Sequence, residues 1–323
     1  MKHTLLWTIL AAMVLCTCCQ QQQFQQIEGS AFGTIYHITY PGKVTPDLRR
    51  QIDSVLNNIN ETFSIFDTNS LISKINRGEE IALNKDFLKV LSTSLKISEQ
   101  TNGAFDCTCQ PLVELYGFGR QNVKQTASQH VVDSIKQFVG YQLLSIQGQR
   151  LVKKDSRVQL NFNAIAKGYA VDKVADFLQS IGYKDFIVEI GGEIVTYGTK
   201  NGKPWKVGIQ VPTETANGAA ESFRNFTLTN KAVATSGNYR NYFEKDGIRY
   251  THILDPASGN PEQTNLLSVT VIAPDCITAD AYATGFMVLG IEKTIQLIKQ
   301  HPELEAYLIY DDNGRFKIKH IKS

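Results

Sequence analysis

The sequence predicts an α+β fold in which mixed, largely antiparallel sheets pack against helices within one domain. Two observations favour this class. Helical periodicities are interspersed with short runs that alternate apolar and polar residues, and several of those runs are joined by turn-forming residues, as antiparallel strands are. No long linker divides the chain after residue 30. A doubly wound parallel sheet would instead need a helix between most successive strands.

Helices are predicted from capping residues and from apolar residues at helical spacing. Thr45-Pro46-Asp47 opens the first, since Pro is favoured in a first turn, and Asn84 is placed to cap the second. Gly103 and Gly182 are placed to end helices. The predicted helices cover residues 45–63, 84–101, 128–138, 164–180, 274–289 and 291–300.

Strands are predicted where apolar and polar residues alternate, or where a short apolar run lies between turn signals. The strongest hairpin signal is Asp246-Gly247, between NYRNYFEK and IRYTHIL. Polar residues 212–221 predict an exposed loop. The predicted strands cover 31–40, 142–146, 150–153, 157–162, 186–190, a segment from Gly192 to Tyr197, 205–211, 224–229, 239–245, 248–254 and 266–272, with two more after residue 300.

Length and charge limit the function classes. The chain has 323 residues, enough for an ample core, and a formal net charge of +2. No basic run with interleaved aromatic residues is present, which argues against a nucleic-acid groove.

The first residues have the pattern of a targeting segment. A short polar start is followed by the apolar run 5–15, which is too short to span a bilayer as an ordinary helix. Leu15-x-x-Cys18 resembles a bacterial lipoprotein signal, so residues 1–19 are assigned to a signal peptide and lipobox, with Cys18 the lipidated residue and Cys19 the second choice. The Gln-rich residues 20–27 predict a flexible tether to the domain at 28–323. An ordinary secretory signal is the alternative.

A metal site is suggested by Asp280 and Thr284. These residues are four apart on a predicted helix, so both side chains face the same way. A carboxylate and a hydroxyl are hard oxygen ligands of the kind that suits Mg²⁺. The alternative is that Asp280 only caps or solvates its helix.

The start of the predicted 164–180 helix is a candidate pyrophosphate site. Helix starts offer free N–H groups and the positive end of the helix dipole, and Lys167 would add a point charge. A solvated Lys on a helix surface is the alternative.

His252 is the candidate general base. It follows the second strand of the Asp246-Gly247 hairpin, and an unperturbed His titrates near working pH. Asp255, three residues on, would orient the ring or bind a ribose. A buried His with structural hydrogen bonds is the alternative.

Seven stretches together resemble one family, in that family's order and over almost all of the chain after residue 30. They are AFGTIY at 31–36, TNGAFD at 101–106 with PLVELYGFG at 111–119, NAIAKGYAVD at 163–172, EIGGE at 189–193, ATSGNYRNYF at 234–243, THILDPASG at 251–259 and ADAYATG at 279–285. The sequence is similar to the ApbE family, the FAD:protein FMN transferases, many of them flavin transferase lipoproteins. The resemblance implies an ApbE-like, T-fold-related catalytic domain.

The resemblance also implies site residues. The metal ligands would be Asp280, Thr284 and the backbone carbonyl of Ala164. The FAD contacts would be Phe32, Phe66, Ala104, Phe105, Asp106, Asn161, Lys167 and Ile253. Phe32 stands where the family often has Met, Phe66 where many members have Tyr, and Asn161 where members often have Asp. Core packing is the alternative for the two Phe residues.

The activity implied by the resemblance is Mg²⁺-dependent transfer of FMN from FAD to a Ser or Thr hydroxyl of an acceptor protein, with release of AMP. Acceptors would include subunits of membrane redox complexes. The enzyme would be a lipid-anchored protein of a bacterial membrane, the inner membrane on its periplasmic side. Two alternatives stay open: an FAD pyrophosphatase that uses water, and an FAD-binding lipoprotein without turnover.

Overall fold

In a computed structural model of the protein, the described residues are 22–323, except 44, 121–122, 212–221, 239–241, 246–247 and 263. The predicted signal peptide and lipobox, with Cys18 and Cys19, lie outside the described residues. So do the predicted 212–221 loop and the Asp246-Gly247 turn. In the part of the chain that is described, no helix combines the length and apolar character needed to cross a membrane.

The described elements fall into helices and short antiparallel strands. The helices are α1 (Pro46–Phe63), α2 (Leu71–Asn76), α3 (Lys85–Gln100), α4 (Gln110–Leu115), α5 (Gln129–Lys136), α6 (Ala166–Ser180) and α7 (Cys276–Gln300). The strands are β1 (Phe24–Ala31), β2 (Thr34–Pro41), β3 (Leu144–Gln147), β4 (Arg150–Lys153), β5 (Phe186–Ile190), β6 (Glu193–Tyr197), β7 (Trp205–Val211), β8 (Ser222–Leu228), β9 (Ala232–Gly237), β10 (Tyr242–Lys245), β11 (Ile248–Thr251), β12 (Leu266–Ala273), β13 (Glu305–Asp312) and β14 (Arg315–Lys322).

The centre of the fold is an eight-stranded antiparallel sheet in the order β1-β2-β5-β6-β9-β12-β13-β14. Helices α6 and α7 pack on the sheet, α1 packs on α6, and α3 packs on α7. A second apolar cluster joins the β7–β8 hairpin to the sheet, where Val207 and Ile209 lie with Val233 and Ile272. This arrangement confirms the α+β prediction.

The helix starts follow the predicted caps. The Thr45 hydroxyl accepts the Leu48 N–H over 3.2 Å, and the Asn84 side chain accepts the Phe87 N–H over 2.7 Å. These bonds satisfy backbone donors that the first turn of a helix leaves free. Gly290, with φ 73° and ψ 179°, divides α7 into two segments. This agrees with the prediction of two separate helices, at 274–289 and 291–300.

The N-terminal strand predictions need correction. The stretch 31–40 is not one strand, because Phe32 and Gly33 adopt φ 52° and 74° and turn the chain from β1 into β2. Strand β1 begins at Phe24, and Ile27 is buried. Residues 24–27 therefore belong to the sheet and not to the predicted tether.

Four further elements differ from the predictions. Residues 157–162 form no strand, and only Gln159 makes an isolated bridge, to Cys109. Strand β9 and the short helices α2 and α4 were not predicted. Strands β10 and β11 pair as predicted, with Lys245 opposite Ile248.

Candidate functional site

A cavity of about 750 Å³ lies where the start of α6, the first turns of α7, the β5–β6 turn and the loop after β11 meet. All but two of the predicted flavin, metal and catalytic residues line it. The predicted residues that line the cavity are Phe66, Ala104, Phe105, Asp106, Asn161, Ala164, Lys167, His252, Ile253, Asp280 and Thr284. The structure thus brings together residues that lie far apart in the sequence, from Phe66 to Thr284. Their individual roles stay predictions.

Gly168 determines how α6 meets α7. Its N–H donates to Asp280 Oδ2 over 2.8 Å. A Cβ at this position would lie 2.3 Å from the Cys276 carbonyl oxygen and 2.7 Å from the Asp280 Cβ. Only glycine therefore allows this approach, and the approach places the Asp280 carboxylate against the first turn of α6.

A backbone carbonyl just before α6 is a further candidate ligand. Ala164 precedes Ile165, whose carbonyl accepts the Tyr169 N–H and opens the hydrogen-bond pattern of the helix. The Ala164 carbonyl accepts no hydrogen bond from the described residues. Because Ala164 also lines the cavity, its carbonyl is a candidate ligand there.

Thr284 adds a third oxygen. It lies one turn after Asp280 on α7, and its hydroxyl is 3.0 Å from the Ser236 hydroxyl of β9. Carboxylate, hydroxyl and carbonyl oxygens form a hard donor set that fits Mg²⁺, which completes its shell with water and phosphate. Among the described residues no group of three or more His, Cys, Asp and Glu side chains is arranged to hold a metal ion.

Asp280 is buried and lies in a charged cluster. Burial raises the pKa of its carboxyl, while the Lys167 charge and the Gly168 N–H oppose that rise. The Lys167 ammonium lies 2.7 Å from Glu193 Oε2, and Glu193 is only 2% exposed. Burial also raises the pKa of Glu193. Lys167 therefore holds positive charge beside two buried acidic groups at one wall of the cavity.

The placement of Lys167 excludes the alternative of a freely solvated lysine. Burial works against its ammonium form, but the charges of Glu193 and Asp280 hold its pKa above the ordinary value. Sequence reasoning missed Glu193 as a site residue. The available signal was EIGGE, in which Gly191 and Gly192, both at positive φ, turn the chain from β5 into β6 and set Glu193 beside Lys167.

Asp106 organises the loop that carries Ala104 and Phe105. Its carboxylate accepts the Thr108 N–H and hydroxyl over 2.8 and 2.6 Å, and the Tyr141 N–H over 2.7 Å. Burial raises the pKa of Asp106, and these hydrogen bonds act in the opposite direction. The geometry therefore supports Asp106 as the residue that shapes this wall of the cavity.

Asn161 is tied to its neighbours in a similar way. Its side-chain amide donates to Gln110 Oε1 over 2.8 Å, and its Oδ1 accepts the Asn163 N–H over 2.8 Å. A carboxylate at this position would have no proton to give to Gln110 Oε1. The asparagine therefore fits its surroundings in this chain and lies on the cavity wall.

His252 lines the cavity, whereas Asp255 lies in the turn that follows and is not among the lining residues. The His252 ring lines the cavity and lies edge-on to Phe118, with ring centroids 6.3 Å apart. The Asp255 oxygens accept the N–H groups of Ala257 and Ser258 over 3.0 and 3.1 Å, so this carboxylate holds the turn that follows. That Asp255 orients the His252 ring or binds a ribose stays a prediction.

Phe32 lies in an adjoining cavity of about 710 Å³. Phe66, Asn163 and Lys167 line both cavities, so the two share a rim. Phe66 is 61% exposed, which excludes the core-packing alternative for this residue, whereas Phe32 packs partly against the core.

Comparison with known proteins agrees with this architecture. The model of the ApbE family matches residues 32–308. The FAD:protein FMN transferase of Vibrio cholerae serotype O1 is 35% identical over 321 residues, which cover 95% of each chain. That of Escherichia coli K12 is 34% identical, over 90% of this chain and 85% of the relative.

Solved structures give the same result. The flavin transferase ApbE from Vibrio cholerae superposes with a TM-score of 0.85 at 32% identity, over 93% of this chain and 97% of the other. The apo form of the Pseudomonas stutzeri flavinyl transferase ApbE also has a TM-score of 0.85 at 32% identity, over 94% and 96%. The family model and the relatives together span nearly the whole described domain, and the chain belongs to the ApbE family.

Proposed function

We propose that this protein transfers FMN from FAD to a Ser or Thr hydroxyl of an acceptor protein and releases AMP. One observation carries the proposal: the Gly168–Asp280 contact, which gathers a carboxylate, a free carbonyl and a helix start at one cavity. The relatives of similar sequence and length are named FAD:protein FMN transferases, which supports the same reaction and identifies this chain as a transferase.

Magnesium fits the oxygen donors at this cavity. Asp280, Thr284 and the Ala164 carbonyl would hold it, since the carboxylate contributes negative charge and the other two contribute neutral oxygen atoms. When bound, the ion would offset negative charge on the phosphate oxygens of FAD.

The chain itself supplies further positive potential for a pyrophosphate. Lys167 lies at the cavity wall with Glu193 as its anchor, and it belongs to the first turn of α6, where the helix dipole favours anions. These groups are fixed before the substrate arrives, so little reorganisation is needed when charge develops. Phe66, Phe105 and Ile253 offer apolar surface for the rings of FAD.

His252 is the proposed general base. It would take the proton from the acceptor hydroxyl as the hydroxyl oxygen bonds to the phosphorus on the FMN side of the pyrophosphate. The bond from that phosphorus to the bridging oxygen breaks, and the oxygen leaves with AMP. The product is FMN joined to the acceptor by a phosphoester.

The acceptor would be a protein with a Ser- or Thr-containing flavinylation motif, such as a subunit of a membrane redox complex. A lipid anchor at Cys18, or at Cys19, would hold the enzyme at the inner membrane facing the periplasm, where it would meet such subunits. The Leu15-x-x-Cys18 pattern supports this location.

The test is to incubate the purified protein with FAD, Mg²⁺ and a candidate acceptor, and to measure acceptor mass and released AMP. The expected result is one FMN added per acceptor with one AMP released, and no addition to an acceptor whose target hydroxyl residue is replaced by Ala. AMP release that does not depend on acceptor would identify an FAD pyrophosphatase. Flavin binding with no AMP at all would identify a carrier.

A further inference from the structure

A chain of polar contacts joins two walls of the cavity through the segment that follows α4. Gln110 Nε2 donates to Glu114 Oε1 over 2.8 Å, and the Arg120 N–H donates to the same oxygen over 3.1 Å. The other side-chain atom of this amide, Gln110 Oε1, accepts a hydrogen bond from the side-chain amide of Asn161, and Asn161 lines the cavity. The proposed reaction assigns no role to Glu114 or Arg120.

Two glycines allow this segment to turn back on α4. Gly117 has φ +72°, and a Cβ there would lie 1.9 Å from the Val123 carbonyl oxygen. A Cβ on Gly119 would lie 2.3 Å from the Glu114 carboxyl carbon. Gly117 therefore needs glycine, because its clash is with backbone atoms at positive φ. At Gly119 a side chain would instead displace the Glu114 carboxylate, which accepts the Arg120 N–H.

The Arg120 guanidinium reaches the loop that carries Phe66. Its Nε donates to the Ile65 carbonyl, and its Nη2 donates to the Ser73 hydroxyl over 2.6 Å. Ile65 and Ser73 are both buried, so these acceptors are fixed points. The residue after Ile65 is Phe66, whose ring stands at the rim shared by the two cavities.

The position of the Phe66 ring depends on its backbone. With 61% of its surface exposed, the ring has few packing contacts of its own to fix it. A charge-assisted bond to the preceding carbonyl fixes the peptide from which the ring projects. Arginine suits this task because its planar fork donates to two acceptors at once.

The geometry points to Arg120 as a positioning residue that holds Phe66 at the cavity rim for stacking on a ring of FAD. This inference rests on the proposed function, because it takes FAD as the ligand. A merely structural role for Arg120 would stabilise the loop without making flavin stacking depend on it.

The experiment uses the full-length protein in detergent and has two readouts. The first, without flavin, is hydrogen exchange of residues 64–70, whose Asp67, Asn69 and Ser70 amides are hydrogen-bonded within the loop. The second is the FAD dissociation constant, from quenching of flavin fluorescence. The variants are Arg120→Ala, Arg120→Lys, Phe66→Ala and the double variant Arg120→Ala with Phe66→Ala. Arg157→Ala, which removes an exposed arginine paired with Asp155, is the control.

We expect faster exchange of residues 64–70 in Arg120→Ala and no change in Arg157→Ala. The FAD dissociation constant should rise about fivefold in Arg120→Ala, the scale of one lost aromatic stack, and by less than about twofold when Phe66 is already Ala. Arg120→Lys, which lacks the fork, should recover only part of the affinity.

Unchanged exchange of residues 64–70 in Arg120→Ala would overturn the inference. So would equal effects of Arg120→Ala with and without the Phe66 ring, because the guanidinium would then act by another route. If the wild-type protein binds no flavin, the proposed function fails. The inference that Phe66 stacks on a ring of FAD then fails as well. The exchange measurement still decides, separately, whether Arg120 holds the loop.

Discussion

The Gly168 N–H and the Asp280 carboxylate, 2.8 Å apart, join the first turn of α6 to the first turns of α7. The contact has two effects at once. It supplies a hydrogen bond that a buried carboxylate needs, and it brings the two helix starts together. The geometry of the candidate metal site therefore depends on a residue that is not itself a ligand.

Replacing Gly168 by Ala should separate the helices. The added methyl group would lie 2.3 Å from the Cys276 carbonyl oxygen, so α6 and α7 must shift. Overpacking of this kind costs about 1–3 kcal/mol. We expect a lower free energy of unfolding by chemical denaturation and a weakened Mg²⁺ response. Gln179→Ala, an exposed change on the same helix, is the control, and wild-type stability in Gly168→Ala would contradict the packing argument.

Asp172 makes the start of α7 sensitive to pH. It accepts the N–H groups of Cys276 and Ile277, each over 2.8 Å, yet burial raises its pKa from 3.8 to about 7. Between these values the folded protein binds a proton that the unfolded chain has released, so this group's contribution to stability is lost as pH rises through that window.

Asp172→Asn should remove that contribution to the pH dependence. The measurement is the free energy of unfolding of both proteins at several values between about pH 4 and pH 7, with Asp176→Asn on the same helix as the control. The wild type should lose more stability across this window than Asp172→Asn does. Parallel curves for the two proteins would show that Asp172 keeps its ordinary pKa in the folded state.

Local signals predicted the longer helices and missed the two six-residue helices α2 and α4. Caps such as Thr45 and Asn84 act within one turn, and apolar spacing reports one face of one helix, so neither depends on the rest of the fold. The elements that were predicted wrongly are those whose conformation depends on the rest of the fold. Alternation continues through Phe32-Gly33, and nothing local indicates that a Phe adopts positive φ there.

Strand β9 was missed because its sequence, AVATSG, is made of small residues without clear alternation. Such a strand is defined by its neighbours, here β6 and β12 with α7 packed on it. For the same reason the sequence indicated Lys167, Asp280 and Thr284 but not Glu193 or Ser236. A partner 26 residues away, such as Glu193 for Lys167, is set by strand pairing that local patterns do not contain.

His252→Ala should lose most FMN transfer and keep FAD binding. Proton removal contributes in the transition state, and such contributions are worth ~10²–10⁴ in rate. The measurements are the transfer rate at saturating FAD and the FAD dissociation constant. Asp255→Asn is the contrasting variant, because the Asp255 carboxylate holds a turn. Loss of this carboxylate should lower the stability of the protein more than it lowers the transfer rate. Transfer by His252→Ala at the wild-type rate would remove His252 from the mechanism.

Replacing both Cys18 and Cys19 by Ala should release the protein from the membrane. The Leu15-x-x-Cys18 pattern and the Gln-rich residues after it motivate this expectation, since the anchor would be a lipid on the new N-terminus. Cell fractionation and mass measurement are the tests. Each single variant shows which cysteine is modified. Detergent-dependent retention of the double variant in membranes would contradict lipid anchoring.

The metal prediction concerns Asp280 and Thr284 together. Without a divalent ion the Asp280 carboxylate would repel the pyrophosphate of FAD, and with one the two anionic groups share a cation, so metal and FAD should bind cooperatively. Asp280→Ala should abolish transfer and sharply weaken the Mg²⁺ dependence of FAD binding. Thr284→Val keeps the shape but removes the oxygen, so its effect should have the same direction and be milder.

The matched control for the metal prediction is Asp275→Ala. Asp275 is also a carboxylate of α7, but it caps the helix by accepting the Thr278 N–H over 3.1 Å. Its loss should cost about 1 kcal/mol of stability without changing the Mg²⁺ dependence. EDTA should stop wild-type turnover, and added Mg²⁺ should restore it. If Asp280→Ala transfers FMN at the wild-type rate and still responds to Mg²⁺, the ion binds elsewhere and the assignment of Asp280, Thr284 and Ala164 is wrong.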